Sequence, residues 1–98
     1  MKLEHTPGPW KYEITDATPN RLDIIIKSGE EPIGWFYTIP DEGEANTRLA
    51  VAAPKMLDDM IWFVKRCRTG EVQSVKTQAR FIKTIESATG KTIEELLS

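Results

Sequence analysis

The sequence predicts an α+β fold, in which a small antiparallel three-stranded meander is followed by two to three helices packed on one of its faces. The first observation is a change of periodicity near Pro40. Apolar residues alternate with polar ones before it and recur at three- and four-residue steps after it. The second is the shortness of the connections between the expected strands, which favours antiparallel pairing of sequential neighbours. A three-stranded sheet is stable only when one face is covered, and the helices would cover it.

The sheet is expected within residues 10–39, where three segments show the period of two that is typical of half-buried strands. One set of alternate positions is apolar in all three segments: Trp10, Tyr12, Ile14, Leu22, Ile24, Ile26, Ile33, Trp35, Tyr37 and Ile39. Residues 1–9 are expected to be an extended arm, because Pro7 and Pro9 disfavour helix. This rigid arm would deliver Trp10 to the core as a buried anchor.

The helical part is expected over residues 44–98, and Leu49, Ala52 and Ala53 of its first helix are expected to face inward. A short helix over 44–53 would be followed by a break or kink at Pro54, which lacks an N–H and is favoured at the first position of a helix. The helix that starts there carries one apolar stripe and ends at Gly70. A third helix is predicted from Glu71 to Ala88.

The composition is that of an ordinary soluble domain, with 40% hydrophobic and 29% charged residues. A chain of 98 residues is expected to form a single domain over residues 1–98 with a modest core. The net charge of −2 makes duplex DNA an unlikely partner. Residues 1–54 carry five basic and nine acidic side chains, and residues 55–98 carry eight and six. That asymmetry either orients a partner or is a solvated surface.

A cytoplasmic location is expected from two features of the chain. Cys67 is the only cysteine, so no intramolecular disulfide can form and a reducing compartment fits. The N-terminal residues lack the pattern of a secretory leader, and no apolar run approaches the ~20 residues of a membrane-spanning helix. The sequence therefore predicts no membrane partner.

The chain offers little for catalysis or for metal binding. Its one histidine lies in the proline-bracketed arm, and Cys67 lies on the apolar stripe of a helix, where core packing is the usual role. The acidic pairs, such as Asp58-Asp59, are adjacent in sequence and therefore do not share a helix or strand face. No metal-ligand spacing or nucleotide-binding motif occurs. We therefore expect a protein that is not an enzyme and that has no cofactor and no metal.

Three polar residues are candidate binding residues, and each also has a structural explanation. His5 either contacts a phosphate or base, or hydrogen-bonds to a backbone carbonyl and pins the arm beside Trp10. Asn46 and Arg48 lie near the expected start of a helix, where Asn46 can act as a cap or tie the helix to the sheet edge, and Arg48 can pair with Glu42, or with Glu44 at i,i+4. The free N–H groups of that helix start would also favour an anion beside Arg48. Alternatively, Asn46 and Arg48 form with His5 a polar cluster that recognises an anion.

The fourth candidate is Trp62, which falls off the main apolar stripe of its helix. It is either an exposed interface residue, since tryptophan is enriched at binding hot spots, or a residue covered by the third helix. The sheet raises a related question, because Phe36 must lie on the face opposite Trp35 and Tyr37. If helices cover only one face, the aromatic surface on the other needs a partner, and self-association is the simplest one.

Two motifs carry a resemblance: His5-Thr6-Pro7-Gly8-Pro9-Trp10, and the segment from Ala45 to Leu57 with the form A-N-x-R-L-x-x-A-A-P-x-x-L. Both are similar to motifs in a group of small proteins of bacteriophages and prophages. The resemblance implies a phage accessory protein in the host cytoplasm that modulates host machinery or host defence. Together with the residues considered above, it leads us to expect a protein that acts by binding, without catalysis and as a homo-oligomer, with a host protein as a further partner. The alternative is a small-ligand binder that captures an anionic nucleotide signal through Asn46, Arg48 and an aromatic residue.

Overall fold

The structure is a computed structural model that describes residues 3–98. Three strands precede three helices: β1 (Trp10–Ala17), β2 (Leu22–Ser28), β3 (Glu31–Thr38), α1 (Pro40–Arg68), α2 (Val75–Thr89) and α3 (Ile93–Leu97). The predicted α+β class is confirmed. The described residues cluster into two compact units, and α1 contributes to both. We call residues 6–55 the sheet unit, and residues 56–98 with the described residues up to His5 the helical unit.

The sheet has the predicted meander, with strand order β1-β2-β3 and antiparallel pairing throughout. Gly29 has a φ of 60°, which suits the tight connection between β2 and β3. Ile24 is at the centre of the buried face with none of its surface exposed, and it pairs with Ile14 on β1 and Phe36 on β3. Leu22 and Ile26 are buried on the same face.

Strand β3 turns its larger aromatic side chains away from that buried face. Because Phe36 pairs with Ile24, it points to the buried side. Trp35 and Tyr37 lie on the other face, where they are 56% and 74% exposed. The predicted separation of these aromatic residues between the two faces is therefore confirmed, and one face of the sheet displays apolar surface.

The first half of α1 lies against the buried face of the sheet and contacts both edge strands. The Tyr12 hydroxyl on β1 donates to Glu44 Oε2 at 2.7 Å. At the other edge, a Cβ atom added at Gly43 would lie 2.1 Å from Cγ2 of Thr38 on β3. Glycine is therefore required at this point of the helix, because any side chain would collide with the end of β3.

Helix α1 does not have the predicted boundaries, since it begins at Pro40 and continues through Pro54 without a break. Pro40 occupies the first helical position, where a backbone N–H would have no acceptor within the helix. The absence of this N–H in proline therefore costs no hydrogen bond there. Pro54 is buried, and a Cβ atom added at Gly8 would lie 3.0 Å from Pro54 Cβ. We attribute the continuity of the helix to this packing, which offsets the lost backbone hydrogen bond. The two sequence motifs meet at this contact.

The side of α1 that faces the sheet also differs from the expectation. Leu49, Ala52 and Ala53 were expected to point inward, but all three are exposed. The more protected positions recur at three- and four-residue steps and carry short side chains: Gly43, Thr47, Ala50 and Pro54. Small residues on this side let the helix backbone approach the sheet closely, whereas Leu49 would hold the two apart. Thr47 is fully buried, and its hydroxyl donates to the Gly43 carbonyl at 2.7 Å.

The N-terminal arm is attached to the start of the sheet by two hydrogen bonds. The Trp10 indole N–H donates to the Thr6 carbonyl at 3.0 Å, and the Ser28 hydroxyl donates to the Pro7 carbonyl at 2.7 Å. Trp10 is half-buried, so it is a less complete anchor than the sequence predicts. The physical reason is its position as the first residue of the edge strand β1, where only one neighbouring strand can cover it.

The helical unit has a core of its own. Its buried residues come from α1, α2 and α3, and they are Val64, Ile85, Ile93 and Leu96. Helix α1 ends at Arg68, and the backbone N–H groups of Glu71 and Val72 donate to the Arg66 carbonyl. Residues 71–74 thus terminate α1 instead of starting the next helix, which begins at Val75.

The short helix α3 begins with a capping box, as the Thr-x-x-Glu spacing indicates. The Glu95 N–H donates to the Thr92 hydroxyl at 3.2 Å, and the Thr92 N–H donates to the Glu95 carboxylate at 3.3 Å. Glu94 in the same turn pairs with Arg68 near the end of α1, with N···O distances of 2.9 and 3.3 Å. This bidentate ion pair connects α3 to α1.

The Arg68–Glu94 pair predicts a pH-dependent contribution to stability. The hydrogen bond from Arg68 and then its charge hold the pKa of Glu94 below its ordinary value. Because the folded-state pKa is the lower one, the contribution is present above the unfolded pKa of about 4.3 and is lost as pH falls through the folded value. NMR titration should give a lower Glu94 midpoint in the parent than in Arg68→Met. Equal midpoints would contradict this assignment.

Candidate functional site

His5 lies in the helical unit and is half-buried. It lines a cavity of about 60 Å³ together with Thr89 and Lys91. Beside it, Glu4 Oε1 is 3.0 Å from Lys91 Nζ, and this hydrogen bond and charge raise the pKa of Lys91. A cavity of this size does not admit a nucleotide, so the geometry favours a role in holding the arm over one in ligand recognition.

Asn46 and Arg48 lie in the sheet unit, and both are exposed. Because α1 begins at Pro40, they fall in its second and third turns, away from the first-turn position that was expected. The expected cap role of Asn46 and the expected help of the helix N-terminus to Arg48 are therefore wrong, since such effects are confined to the first turn.

Arg48 forms the predicted i,i+4 pair with Glu44, at 3.7 Å between Nη1 and Oε2. The same carboxylate oxygen accepts the Tyr12 hydroxyl at 2.7 Å. The three side chains thus form a continuous polar chain from β1 to the outer side of α1. Since Glu44 already supplies Arg48 with an anionic partner, the arrangement favours attachment of the helix to the sheet over anion recognition.

Trp62 lies on the surface of the helical unit with 55% of its side chain exposed. The Arg66 guanidinium stacks 4.7 Å from the centre of its ring, and Arg66 also pairs with Glu71. A cation over the ring fixes the orientation of the indole without covering its outer surface. Trp62 is therefore exposed, and α2 does not cover it as the second alternative expected.

Trp62 borders an open groove of about 670 Å³ between α1 and α2. The groove is mostly apolar, and its lining is Met56, Asp59, Met60, Trp62, Phe63 and Phe81. Phe63 and Phe81 meet edge to face with ring centres 5.1 Å apart, a contact that favours one arrangement of the two rings. Met56 is 48% exposed at the rim, and methionine adapts readily to different apolar partners.

Sequence reasoning missed this groove because Met56, Met60 and Phe63 fit the apolar stripe of a helix, and such stripes usually fill a core. It also missed a basic row on α2, whose members Lys76, Arg80 and Lys83 are all exposed. Their spacing of four and three residues places them on one side of the helix, and this signal was present in the sequence.

The structure adds two observations on cofactors and membranes. Within residues 3–98, no three or more histidine, cysteine or acidic side chains lie close enough together to bind a metal ion. Over the same residues, each helix is too short or too polar to cross a bilayer.

Comparison with known proteins identifies a family whose sequence model covers nearly the whole chain. No curated protein and no solved structure matches the chain. The sequence model of the family described as Salmonella phage P22 protein Y8K6 matches residues 1–94. This agrees with the resemblance of the two motifs to phage-encoded proteins. With 94 of 98 residues matched, the chain belongs to the Salmonella phage P22 protein Y8K6 family.

Proposed function

We propose that this phage protein is a non-enzymatic accessory protein that acts by binding a protein of the bacterial host through the groove beside Trp62. The exposed Trp62 at the rim of an apolar groove of about 670 Å³ is the observation that carries the proposal. A large aromatic side chain with a fixed orientation, next to a hydrophobic depression, is the usual composition of a binding hot spot. Because Phe63 and Phe81 already pack against each other, these two side chains have less conformational freedom to lose on binding.

The partner's segment is expected to carry apolar side chains that enter the groove and acidic groups elsewhere on its surface. The apolar part follows from the lining, in which Asp59 is the only charged side chain among the described residues. The acidic part follows from the row of Lys76, Arg80 and Lys83, which lies about 130° around α2 from Phe81 and so attracts an acidic partner from outside the groove. Complementary charge of this kind raises the association rate and disfavours partners of like charge.

Binding without turnover is part of the proposal, as is action in the host cytoplasm. A catalyst at neutral pH needs an activated nucleophile, a tuned acid–base pair or a metal in a concave site. Within the part of the chain that the structure describes, the groove is lined by methionine and aromatic side chains, with Asp59 as the one ionisable group. The cytoplasmic location rests on the phage family and on the lone Cys67.

The test has two stages, capture and reconstitution. Affinity capture from infected host cells, followed by mass spectrometry, supplies candidate partners. Each candidate is then purified and titrated against the parent and the variants by calorimetry. Trp62→Ala is expected to weaken binding at least about tenfold, and Arg80→Glu several-fold with a reduced dependence on salt. Leu49→Ala, which removes an exposed side chain in the sheet unit, is the matched control and should leave Kd unchanged.

Two results would overturn the proposal. One is a partner that binds Trp62→Ala as tightly as it binds the parent, because the groove would then be irrelevant. The other is turnover of any compound in a screen of host metabolites, because the protein would then be an enzyme. Circular dichroism of each variant serves as the control for folding. Trp62→Ala is expected to keep the fold, because Trp62 lies on the surface.

A further inference from the structure

The face of the sheet that points away from α1, which we call the outer face, has an apolar centre. Ile25 on β2 pairs with Trp35 on β3, and Tyr37 follows two residues later on the same side. Trp35 and Tyr37 are 56% and 74% exposed, so this patch is among the most exposed apolar surfaces of the sheet unit. Surface of this kind on a soluble protein usually marks an interaction site.

Charges at the two ends of the outer face are arranged by sign. At one end Lys11 pairs with Lys27 across β1 and β2, and at the other end Asp16 pairs with Asp23. The two rows are about 13 Å apart along β2, with Ile25 midway between them. Lys11 and Asp16 are exposed, and their pairs with Glu30 at 3.4 Å and Arg21 at 3.8 Å can exchange partners at little cost. Lys27 and Asp23 are mostly covered and stay paired within the copy, with Glu13 at 3.2 Å and Arg21 at 2.9 Å. The exposed Lys11 and Asp16 therefore carry the charge complementarity.

We propose that the outer face is a homodimer interface, on which a second copy of this chain packs sheet to sheet about a two-fold axis. The axis lies in the plane of the interface, perpendicular to the strands, and passes through the row of Ile25 and Trp35. This rotation reverses the strand direction, so the lysine end of one copy meets the aspartate end of the other. Trp35 then packs against Trp35 of the second copy, and an isologous contact of this kind closes without forming fibres.

The size of the face determines the strength of the dimer. Eight-residue strands span about 26 Å, and three strands spaced ~4.8 Å apart are about 14 Å wide, so the footprint is roughly 370 Å² per copy. The two copies together would bury roughly 740 Å², which is below the ~1,000 Å² of a stable specific interface and fits a weak, transient one. The dimer is therefore expected to form in the micromolar range. It involves only the sheet unit, so it is independent of the groove proposed for the host partner.

The first test is sedimentation equilibrium from 5 to 200 µM. The parent is expected to associate reversibly, and Trp35→Ala should raise the dimer Kd at least about tenfold, because it removes the central contact from both copies. Trp62→Ala is the matched control, a change of the same residue type at similar exposure in the helical unit. A parent that stays monomeric at 200 µM, or a dimer that Trp62→Ala abolishes and Trp35→Ala does not, would refute the proposal.

The second test reverses the end charges at two exposed positions. Lys11→Asp and Asp16→Lys should each raise Kd roughly three- to tenfold, because each variant places like charges opposite each other twice. In an equimolar mixture of the two single variants, the Asp introduced at position 11 of one copy faces the Lys introduced at position 16 of the other. The unchanged Asp16 of the first copy faces the unchanged Lys11 of the second, so association should return. The double variant should also dimerise. A mixture no more associated than the single variants would rule out this orientation.

Discussion

Replacing Ile24 by alanine is expected to lower the free energy of unfolding by about 2–5 kcal/mol. Ile24 has no exposed surface and lies at the centre of the sheet between Ile14 and Phe36. The truncation therefore removes buried methyl and methylene groups and leaves a cavity, which the paired strands on either side cannot close. For a protein of this size the loss is a large fraction of the total stability, which is about 5–15 kcal/mol. Urea denaturation followed by circular dichroism measures it.

The adjacent Ile25 provides the control for that prediction. It has the same side chain in the same strand but points to the opposite face, where it is only half-buried. At concentrations below a micromolar, Ile25→Ala is expected to cost less than half as much as Ile24→Ala, because less apolar surface returns to water. Equal losses for the two variants would mean that α1 does not bury one face preferentially.

Replacing Gly43 by alanine should destabilise the protein by about 1–3 kcal/mol, although the same change at an exposed helix position stabilises by about 1 kcal/mol. The new Cβ atom would lie 2.1 Å from Thr38 Cγ2, 2.8 Å from its Oγ1 and 3.0 Å from its Cβ. Rotation of the Thr38 side chain relieves the first two contacts but not the third. The start of α1 must therefore move away from the end of β3, which reduces the burial of Thr47.

A double-mutant cycle identifies the cause of that loss. Thr38→Ala removes the two closest atoms, so Gly43→Ala made in that background should lose most of its cost. Chemical denaturation of the four proteins gives the coupling energy between the two positions. A Gly43→Ala variant that is more stable than the parent would contradict the close approach of the helix to the strand.

Local chemistry explains why several elements follow from the sequence. The strands around Ile24 alternate with a period of two, the turn at Gly29 has a glycine where φ is positive, and the capping box at Thr92 needs only four residues. The Arg48–Glu44 pair is likewise predictable, because the two positions are one turn apart on any helix. Each of these features depends on residues that are neighbours along the chain or along one element.

The candidate site was predictable only in part. Trp62 could be singled out because it falls off the apolar stripe of α1, but the sequence left its exposure undecided. The groove beside it also needs Phe81, which α2 brings to α1 from a distant part of the chain. Periodicity reports which side of a helix is apolar, and it does not report whether the neighbouring helix covers that side completely.

The sequence by itself determined the α+β class, the order and pairing of the strands, the capping box of α3 and the separation of Phe36 from Trp35. Only the tertiary structure decided that α1 continues through Pro54, that its small residues face the sheet, and which side of β3 is buried. The reason is energetic. In a helix interior, proline is less favourable than alanine by about 3 kcal/mol. Packing of Pro54 against Gly8 offsets this cost, and that contact exists only when the arm lies against the helix.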